Sequence, residues 1–213
     1  MLVKVYGASV QGLSAIPVTI EVNASRGIKF FLVGLPDSAV KESHERIVAV
    51  IENSGFRFPS RQIVVNMAPA DIRKEGAGYD LPLAIGILAA DDKVRLDKLA
   101  HTMMLGELSL DGSLQPVKGA LSVAIKAREM GFEHLIVPEQ NVREAAVVNR
   151  LKVYGAAHIG QVIRFLNEDV GLAPLDVDTR AEFYARQAEF DFDFADVKGQ
   201  AYVKRALEVA AAG

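Results

Sequence analysis

The fold of this chain is decided by residues 62–90, QIVVNMAPADIRKEGAGYDLPLAIGILAA. Residues 62–68 have the apolar, β-branched composition of a buried strand. Residues 81–90 are apolar on nearly every side, which predicts a helix in the core. The loop between them, KEGAGYDLP at residues 74–82, has two glycines, a tyrosine and an aspartate where that helix begins. Such loops often bind ligands or carry catalytic residues, and Asp80 is the expected N-cap of the helix.

The segments before this loop alternate between strand and helix patterns. A helix is predicted from Asp37 or Ser38 to just before Gly55, because N-cap residues and a terminal glycine flank an amphipathic run. Apolar residues at alternate positions predict strands at residues 3–10, 16–22 and 29–33.

The segments after the core helix also alternate. Asp111-Gly112 predicts a hairpin turn between strands at 104–110 and 114–117. The remaining patterns predict a helix at 118–130, a strand at 134–138, a helix at 141–148, a strand at 151–156 and a helix at 160–167. We therefore predict an α/β (α+β) domain over residues 1–167, with a mixed sheet and helices on one of its faces.

The residue composition changes after this domain. Residues 168–190 are charged and contain glycine and proline, which predicts a linker. Residues 191–213 predict the beginning of a second module, whose first helix stops where the sequence stops. We expect the chain to be cut from a longer protein at this point.

Composition narrows the classes of function. The net charge of −3 neither favours nor excludes a polyanionic partner, and the absence of cysteine excludes disulfides, thiolate metal sites and a cysteine nucleophile. The N-terminus has no signal-peptide pattern, and no apolar run is long enough to span a bilayer. We expect a soluble cytoplasmic protein without a membrane partner.

Four kinds of active site find little support in the sequence. A dinucleotide fingerprint would place glycines at Gly76 and Gly78, but its third glycine position holds Leu81. A Walker A loop and a G-x-S-x-G elbow are absent from the chain. The four histidines have no zinc-binding spacing, so we expect surface or capping roles for them and no metal site.

A nucleic-acid surface is a further candidate. Arg73 and Lys74 follow one predicted strand, and Lys118 begins a predicted helix. If the fold brings these residues together, they could neutralise phosphates. The alternative is that they are ordinary solvated charges at loop ends.

Four stretches resemble known families. Residues 106–141 and 66–90 are similar to the catalytic domain of Lon proteases, which has the ribosomal protein S5 domain 2-like fold. Residues 34–71 resemble the signature of the YifB/ComM family, often labelled magnesium-chelatase-like. Residues 193–213 are similar to the entry of that family's AAA+ module, upstream of its Walker A loop.

The resemblance also implies what the site lacks. Lon-type peptidases use a serine and a lysine, and these positions correspond here to Gly78 and Leu121. Neither residue can supply the chemistry of a Ser–Lys dyad. The resemblance therefore implies an accessory domain without catalytic residues. The loop at residues 74–82 would keep the shape of an active site but not its catalytic groups.

The resemblance further implies the context of the domain. The complete protein would be a hexameric, ATP- and Mg²⁺-dependent AAA+ motor that acts on single-stranded or branched DNA in natural transformation and recombination. Val197, Gly199 and Gln200 resemble the segment that touches adenine in such ATPases. Three alternatives stay open: a Lon-like peptidase with a relocated nucleophile such as Ser122, a magnesium-chelatase-like ATPase subunit, and a ring-building module without a ligand.

Overall fold

The computed structural model describes residues 1–72, 74, 76–178 and 194–212. These residues belong to two compact units, 1–177 and 178–213. The first unit contains a seven-stranded sheet, a separate two-stranded hairpin and five α-helices.

The strands of the first unit follow the period-two segments of the sequence. The large sheet has the order β3-β4-β2-β1-β5-β8-β9, and β6 and β7 form the separate hairpin. The bounds are β1 Leu2–Gln11, β2 Ser14–Ser25, β3 Phe30–Val33, β4 Gln62–Ala68, β5 Thr102–Met104, β6 Glu107–Leu108, β7 Leu114–Gln115, β8 His134–Pro138 and β9 Lys152–Ala156.

Side chains cap the beginning of two helices. Asp37 accepts a hydrogen bond from the N–H of Val40 at 2.8 Å, and His158 and Gln161 form a capping box at the last helix of the unit. The bounds are α1 Ser38–Asn53, α2 Asp80–Ala90, α3 Ala120–Glu129, α4 Val142–Ala145 and α5 Ile159–Glu168.

The sheet is mixed, as the sequence predicts. Strands β1, β2 and β4 form its antiparallel centre, whereas β3 and the strands β5, β8 and β9 add in parallel. The turn at Asp111-Gly112 joins β6 to β7, as predicted. The preceding strand is split, however, because Met104 belongs to β5 of the large sheet while Glu107 begins the hairpin.

Helices cover both faces of the sheet, so the prediction of helices on one face was wrong. One apolar core contains residues of α1, α2 and α5, such as Ile47, Ile85 and Val162. A second core, on the other face, contains residues of α3 and α4, such as Val123 and Ala145. The parallel strands β8 and β9 contribute alternate residues to the two cores and are therefore buried on both faces, as parallel strands usually are.

Helix α2 lies at the centre of the first core. All eleven of its residues are buried, which agrees with the prediction of a core helix at residues 81–90. It packs mainly on β1 and β2. Because α2 cannot move without disturbing both strands, the loop before it is held in a defined place.

The described part of the second unit contains one α-helix, α6 Ala201–Ala212, and a short 3-10 helix at Phe194–Asp196. None of the α6 residues is buried, and the side chain of Tyr202 is 92% exposed. The residues Phe190–Asp193 of the FDFDF segment lie outside the described residues.

Within the part of the chain that the structure describes, no helix combines the length and the apolar character that crossing a membrane requires.

Gly34, which follows β3, tests how closely this edge of the sheet is packed. Its φ is +100°, and a Cβ atom there would overlap the carbonyl oxygen of Met67 in the neighbouring strand. We expect Gly34→Ala to lower the free energy of unfolding by about 3 kcal/mol, since strain and a backbone clash add together. Chemical denaturation followed by circular dichroism measures this loss.

Gly55→Ala is the matched control, because Gly55 has a φ of +84° but open space around its Cβ position. It should cost only about 1 kcal/mol, the strain of the left-handed conformation alone. Equal losses for the two variants would contradict the close packing at Gly34.

Candidate functional site

The loop before α2 is attached to the beginning of α1. The N–H of Lys74 donates to the carbonyl of Leu35 at 3.2 Å, and the N–H of Asp37 donates to the carbonyl of Lys74 at 3.0 Å. The carboxylate of Asp37 also accepts from the N–H of Gly76 at 3.3 Å. Asp37 therefore caps α1 and holds the loop at the same time.

Asp80 is not the N-cap of α2, so that prediction was wrong. The capping position is Tyr79, which makes no side-chain cap, and Asp80 is the first helical residue. Its buried carboxylate accepts hydrogen bonds from Nε and Nη2 of Arg46 at 3.0 and 3.1 Å and from the N–H of Leu108 at 3.3 Å. A carboxylate in this position joins α1, α2 and β6.

The surroundings of Asp80 act on its pKa in opposite directions. Burial raises the pKa of the carboxyl above its ordinary value, and the hydrogen bonds and the charge of Arg46 oppose that rise. The side chain of Arg46 is 26% exposed while that of Asp80 is 1% exposed. The pair thus lies at the boundary between the core and the surface, with the carboxylate on the inner side.

A cleft of about 420 Å³ opens beside this ion pair, a volume within the range of small-ligand pockets. Four segments line it: the end of β1 at residues 8–10, the loop at 76–79, Leu105 with Glu107 after β5, and residues 116–118. The loop that the sequence marked as a candidate site therefore does border a concave surface.

Close contacts bring these segments together. A Cβ atom on Gly78 would lie 3.2 Å from Leu105 and 4.0 Å from Val117. A Cβ atom on Gly119 would lie 2.8 Å from Val10 at the end of β1. These contacts place Gly78 and Lys118 on one cleft, although they are far apart in the sequence.

The two positions that the sequence resemblance assigns to a peptidase dyad differ in their surroundings. Gly78 lines the cleft, whereas Leu121 is 37% exposed and its N–H donates to Glu144 at 3.1 Å. Leu121 is not among the residues that line the cleft. The geometry offers a binding surface at Gly78 but no nucleophile and no base at the two dyad positions.

Ser122, the candidate for a relocated nucleophile, is also not activated. Its hydroxyl donates to the carbonyl of Leu13 at 2.8 Å, and the nearby Lys126 pairs with Glu129 at 3.1 Å. A serine nucleophile needs a neighbouring base that accepts its proton. The arrangement around Ser122 stabilises the helix surface and provides no such base.

Two of the three nucleic-acid candidates, Lys74 and Lys118, lie within the described residues, and they do not share one exposed surface. Arg73 lies outside the described residues. Lys74 is fully buried, its ammonium donates to the carbonyl of Pro69, and burial lowers its pKa. Lys118 is exposed at the cleft. Of these candidates, Lys118 is the one that the structure places where a charged ligand can reach it.

The sequence patterns did not predict two residues of the site. Arg46 is one of several charged residues on α1, and nothing in its local sequence pairs it with Asp80. Ser9 lies within β1 and yet lines the cleft. The serine lies in the segment GASVQG at residues 7–12, and the two glycines of this segment could have indicated an unusual end of the strand.

The adenine-side candidates lie in the second unit. Val197, Gly199 and Gln200 are exposed just before α6, and the carbonyl of Gln200 accepts from the N–H of Lys204 at 3.0 Å. Without a phosphate-binding loop in this chain, these residues do not complete a nucleotide site.

Across the residues that the structure describes, no group of His, Asp and Glu side chains could hold a metal ion.

A comparison with models of protein families matches residues 20–141 to the family described as "Subunit ChlI of Mg-chelatase". The match includes β4, the loop at residues 76–79, helix α2, the hairpin and Lys118. It therefore contains most of the segments that form the cleft.

Curated proteins extend this similarity over the whole chain. Competence protein ComM of Haemophilus influenzae is 40% identical over 215 residues, which cover 100% of this chain and 42% of ComM. The YifB protein of Escherichia coli is 39% identical over 206 residues, which cover 95% of this chain and 39% of YifB. The chain thus spans about two fifths of the length of these relatives.

A more distant similarity connects the chain to Lon proteases. Lon protease 2 of Bacillus subtilis is 29% identical over 104 residues, which cover 49% of this chain and 18% of the protease. Together with the mixed α/β sheet, this similarity accords with the Lon-like, ribosomal protein S5 domain 2-like fold that the sequence resemblance implies.

Removal of Arg46 tests the role of the buried ion pair. Arg46→Met leaves the Asp80 carboxylate buried without its cation, and we expect a loss of about 3 kcal/mol in the free energy of unfolding at neutral pH. The exposed Arg164 supplies the control, since Arg164→Met should change stability by less than about 0.5 kcal/mol. Urea denaturation of the three proteins compares these values.

The pH dependence of that loss distinguishes charge from packing. Without Arg46 the pKa of Asp80 rises further above its unfolded value, so the folded variant binds a proton more readily than the wild type. The stability gap should therefore narrow as the pH falls from 7 to about 5 and Asp80 becomes neutral. A gap that stays constant with pH would show that Arg46 acts through packing alone.

Proposed function

The chain belongs to the family described as subunit ChlI of Mg-chelatase, and from this premise we propose that it is a non-proteolytic accessory domain of an ATP-dependent DNA-processing motor. The observation that supports the proposal most is the 40% identity with Competence protein ComM along the whole chain. Competence is the ability of bacteria to take up DNA, and in this proposal the complete protein acts on single-stranded or branched DNA.

The second observation is the cleft with glycine at the position that the resemblance assigns to the nucleophile. A Lon-like fold with glycine at position 78 keeps the shape of a substrate site and lacks the group that would attack a peptide bond. Binding and assembly are functions that such a domain can still perform. We assign it contacts with DNA or with neighbouring subunits.

The motor itself would be formed by the complete protein. In this proposal the complete protein forms a hexameric ring that binds ATP with Mg²⁺, and Val197, Gly199 and Gln200 lie beside the adenine. This chain contains no G-x-x-x-x-G-K-[ST] sequence, so the phosphate contacts would come from elsewhere in the protein. Recombination and natural transformation are the processes that a DNA motor of this family would serve.

A magnesium-chelatase subunit is the second candidate, since the matching family model carries that description. A chelatase subunit would use ATP without needing a surface for DNA. Salt-dependent DNA binding separates the two functions, because each phosphate that a cation neutralises releases counterions.

Lys118 supplies a direct test of the DNA surface. We expect Lys118→Glu in the complete gene product to weaken binding of single-stranded and forked DNA by about tenfold at low salt, since it exchanges an attractive charge for a repulsive one. The salt dependence of binding should become shallower as well. Fluorescence anisotropy with labelled DNA measures both quantities.

Lys41→Glu is the control, because Lys41 is an exposed lysine of α1 that does not line the cleft. It makes the same change in net charge and should alter DNA binding much less. If the two substitutions had equal effects, Lys118 would act only through the net charge of the protein. If neither had an effect, the proposal would lose its DNA surface.

The absence of peptidase chemistry can be tested separately. Because Ser122 has no base beside it and position 78 has no side chain, a fluorophosphonate probe should leave the purified chain unlabelled. A serine hydrolase in the same reaction mixture serves as the positive control. Labelling that disappears in Ser122→Ala would instead establish a relocated nucleophile.

A further inference from the structure

The α5 cavity, of about 560 Å³, lies between the end of α1 and the beginning of α5. Ser54 and Phe56 line it after α1, and six residues between positions 157 and 164 line it from α5 and the turn before that helix. Its volume is within the range of small-ligand pockets. It has no lining residue in common with the cleft at Gly78, so it is a separate concave surface.

The end of α1 fixes the position of Phe56. Gly55 has a φ of +84° and turns the chain. The N–H of Gly55 donates to the carbonyl of Glu52 at 3.0 Å, and the N–H of Phe56 donates to the carbonyl of Ile51 at 3.1 Å, which is the pattern of a Schellman motif. The ring of Phe56 is partly buried because it packs against the first core while it lines the cavity. The cavity therefore has an aromatic wall that the backbone holds in place.

Ser54 leaves a polar group without a partner at the same wall. Its hydroxyl oxygen is buried, and within the described residues it makes no hydrogen bond. A buried hydroxyl without a partner is unfavourable. Because Ser54 as a whole is partly exposed, rotation about its Cα–Cβ bond between staggered positions can bring the hydroxyl to the surface of the cavity. A ligand in the cavity can then supply the missing partner.

Helix α5 presents donors to the cavity. Gln161 and Arg164 are three residues apart and therefore lie on one face of the helix. The side-chain oxygen of Gln161 accepts from the N–H groups of Ala157 at 2.8 Å and His158 at 3.1 Å, which leaves its NH₂ group to donate. Arg164 is exposed, and its guanidinium makes no hydrogen bond or ion pair among the residues that the structure describes.

The charges of this surface favour an anion. A neighbouring cavity of about 500 Å³ shares Phe56 with the α5 cavity and adds Arg57, Lys93 and Asp91 to the lining. The carboxylate of Asp91 lies 3.8 Å from Arg61. Besides one histidine, the lining of the two cavities thus contains three cations and one carboxylate, whereas the whole chain has a net charge of −3. A local excess of positive charge on an acidic protein indicates an anionic ligand.

We propose that the α5 cavity binds a nucleotide. The base lies against the ring of Phe56, because the face of any base stacks on an aromatic side chain. The amide of Gln161 and the hydroxyl of Ser54 donate to acceptors on the edge of the base. Arg164 binds the phosphate through charge-assisted hydrogen bonds, and the cations of the neighbouring cavity lie beside it.

This chemistry has two sources, a free nucleotide and one unit of a single strand of nucleic acid. Both have a flat base and a phosphate, and both would make the same contacts in the cavity. The proposal goes beyond the function given above, because it assigns a site that is separate from the cleft at Lys118.

The experiment separates the base from the phosphate. ¹⁵N-labelled protein of the full 213 residues is titrated with adenosine 5′-monophosphate, adenosine, ribose 5-phosphate and inorganic phosphate. We expect the nucleotide to shift the amide resonances of Phe56, Gln161 and Arg164, with half-saturation below about 1 mM. Adenosine and ribose 5-phosphate should each bind at least about tenfold more weakly, since each lacks one of the two main contacts.

Variants test the side chains. Arg164→Gln should weaken the nucleotide by about fivefold or more and leave adenosine unaffected. Arg26→Gln, which replaces an exposed arginine outside both cavities, should change neither. Phe56→Leu should weaken the nucleotide and adenosine alike. Ser54→Ala should weaken the nucleotide by about threefold without lowering Tm, because it removes an unpaired buried hydroxyl.

Thermal unfolding of each variant confirms that the fold is intact. The resonances of the wild type report on the site even if one variant fails to fold. Lys118→Glu should leave binding of the mononucleotide unchanged, so a failure of the DNA surface and a failure of this site can be told apart.

A single-stranded oligonucleotide distinguishes the two sources. If a 5′-phosphorylated octamer shifts the same resonances at a concentration at least about tenfold below that of the mononucleotide, the ligand is one unit of a strand. If the octamer binds no more tightly than the mononucleotide, the ligand is a free nucleotide.

Three results would overturn the proposal. One is the absence of any shift of the three resonances with the 5′-monophosphates of all four bases up to about 5 mM. Another is binding of inorganic phosphate as tight as that of the nucleotide, which would leave an anion site that does not recognise a base. The third is equally tight binding of an acidic peptide such as acetyl-Glu-Phe-Glu amide, which would assign the cavity to a protein partner.

Discussion

The buried carboxylate of Asp80 is the constraint on which the site depends. A carboxylate that leaves water must recover its hydration from hydrogen bonds and opposite charge, and Asp80 obtains these from Arg46 on α1 and from the N–H of Leu108 on β6. Because Asp80 begins a helix that is buried throughout, this one group sets the position of three elements. The loop before α2 and the cleft beside it follow from that position.

The cleft that results has no nucleophile at position 78. The resemblance to Lon-type peptidases assigns the catalytic serine to Gly78, and the side chains of Leu105 and Val117 lie next to this glycine. The same loop that cannot break a bond still offers N–H groups, and Ser9 and Lys118 add a hydroxyl and a cation. A domain with these properties fits a role in binding, whether the partner is DNA or a subunit.

Much of this fold could be predicted from local patterns. The period of the apolar residues predicted the strands and the core helix. Asp37 or Ser38 was predicted to cap α1, and Asp37 is the residue that does so, because capping depends on neighbours three residues away. The site was less predictable. Asp80 was predicted to be the N-cap of α2 because it is an aspartate at the beginning of the helix. Its carboxylate instead binds Arg46, which lies 34 residues earlier in the sequence. The exposed position expected for Lys74 was wrong for a similar reason, since the adjacent chain buries it.

The sequence by itself determined the mixed α/β class and the family, because these depend on residue types at fixed spacings. Its resemblance to Lon-type peptidases predicts that Gly78 and Leu121 replace the dyad. Only the tertiary structure decided that helices cover both faces of the sheet and that Ser9 and Lys118 meet at one cleft. Burial and the pairing of charges depend on residues distant in the sequence, and no local pattern records which of them the folded chain brings together.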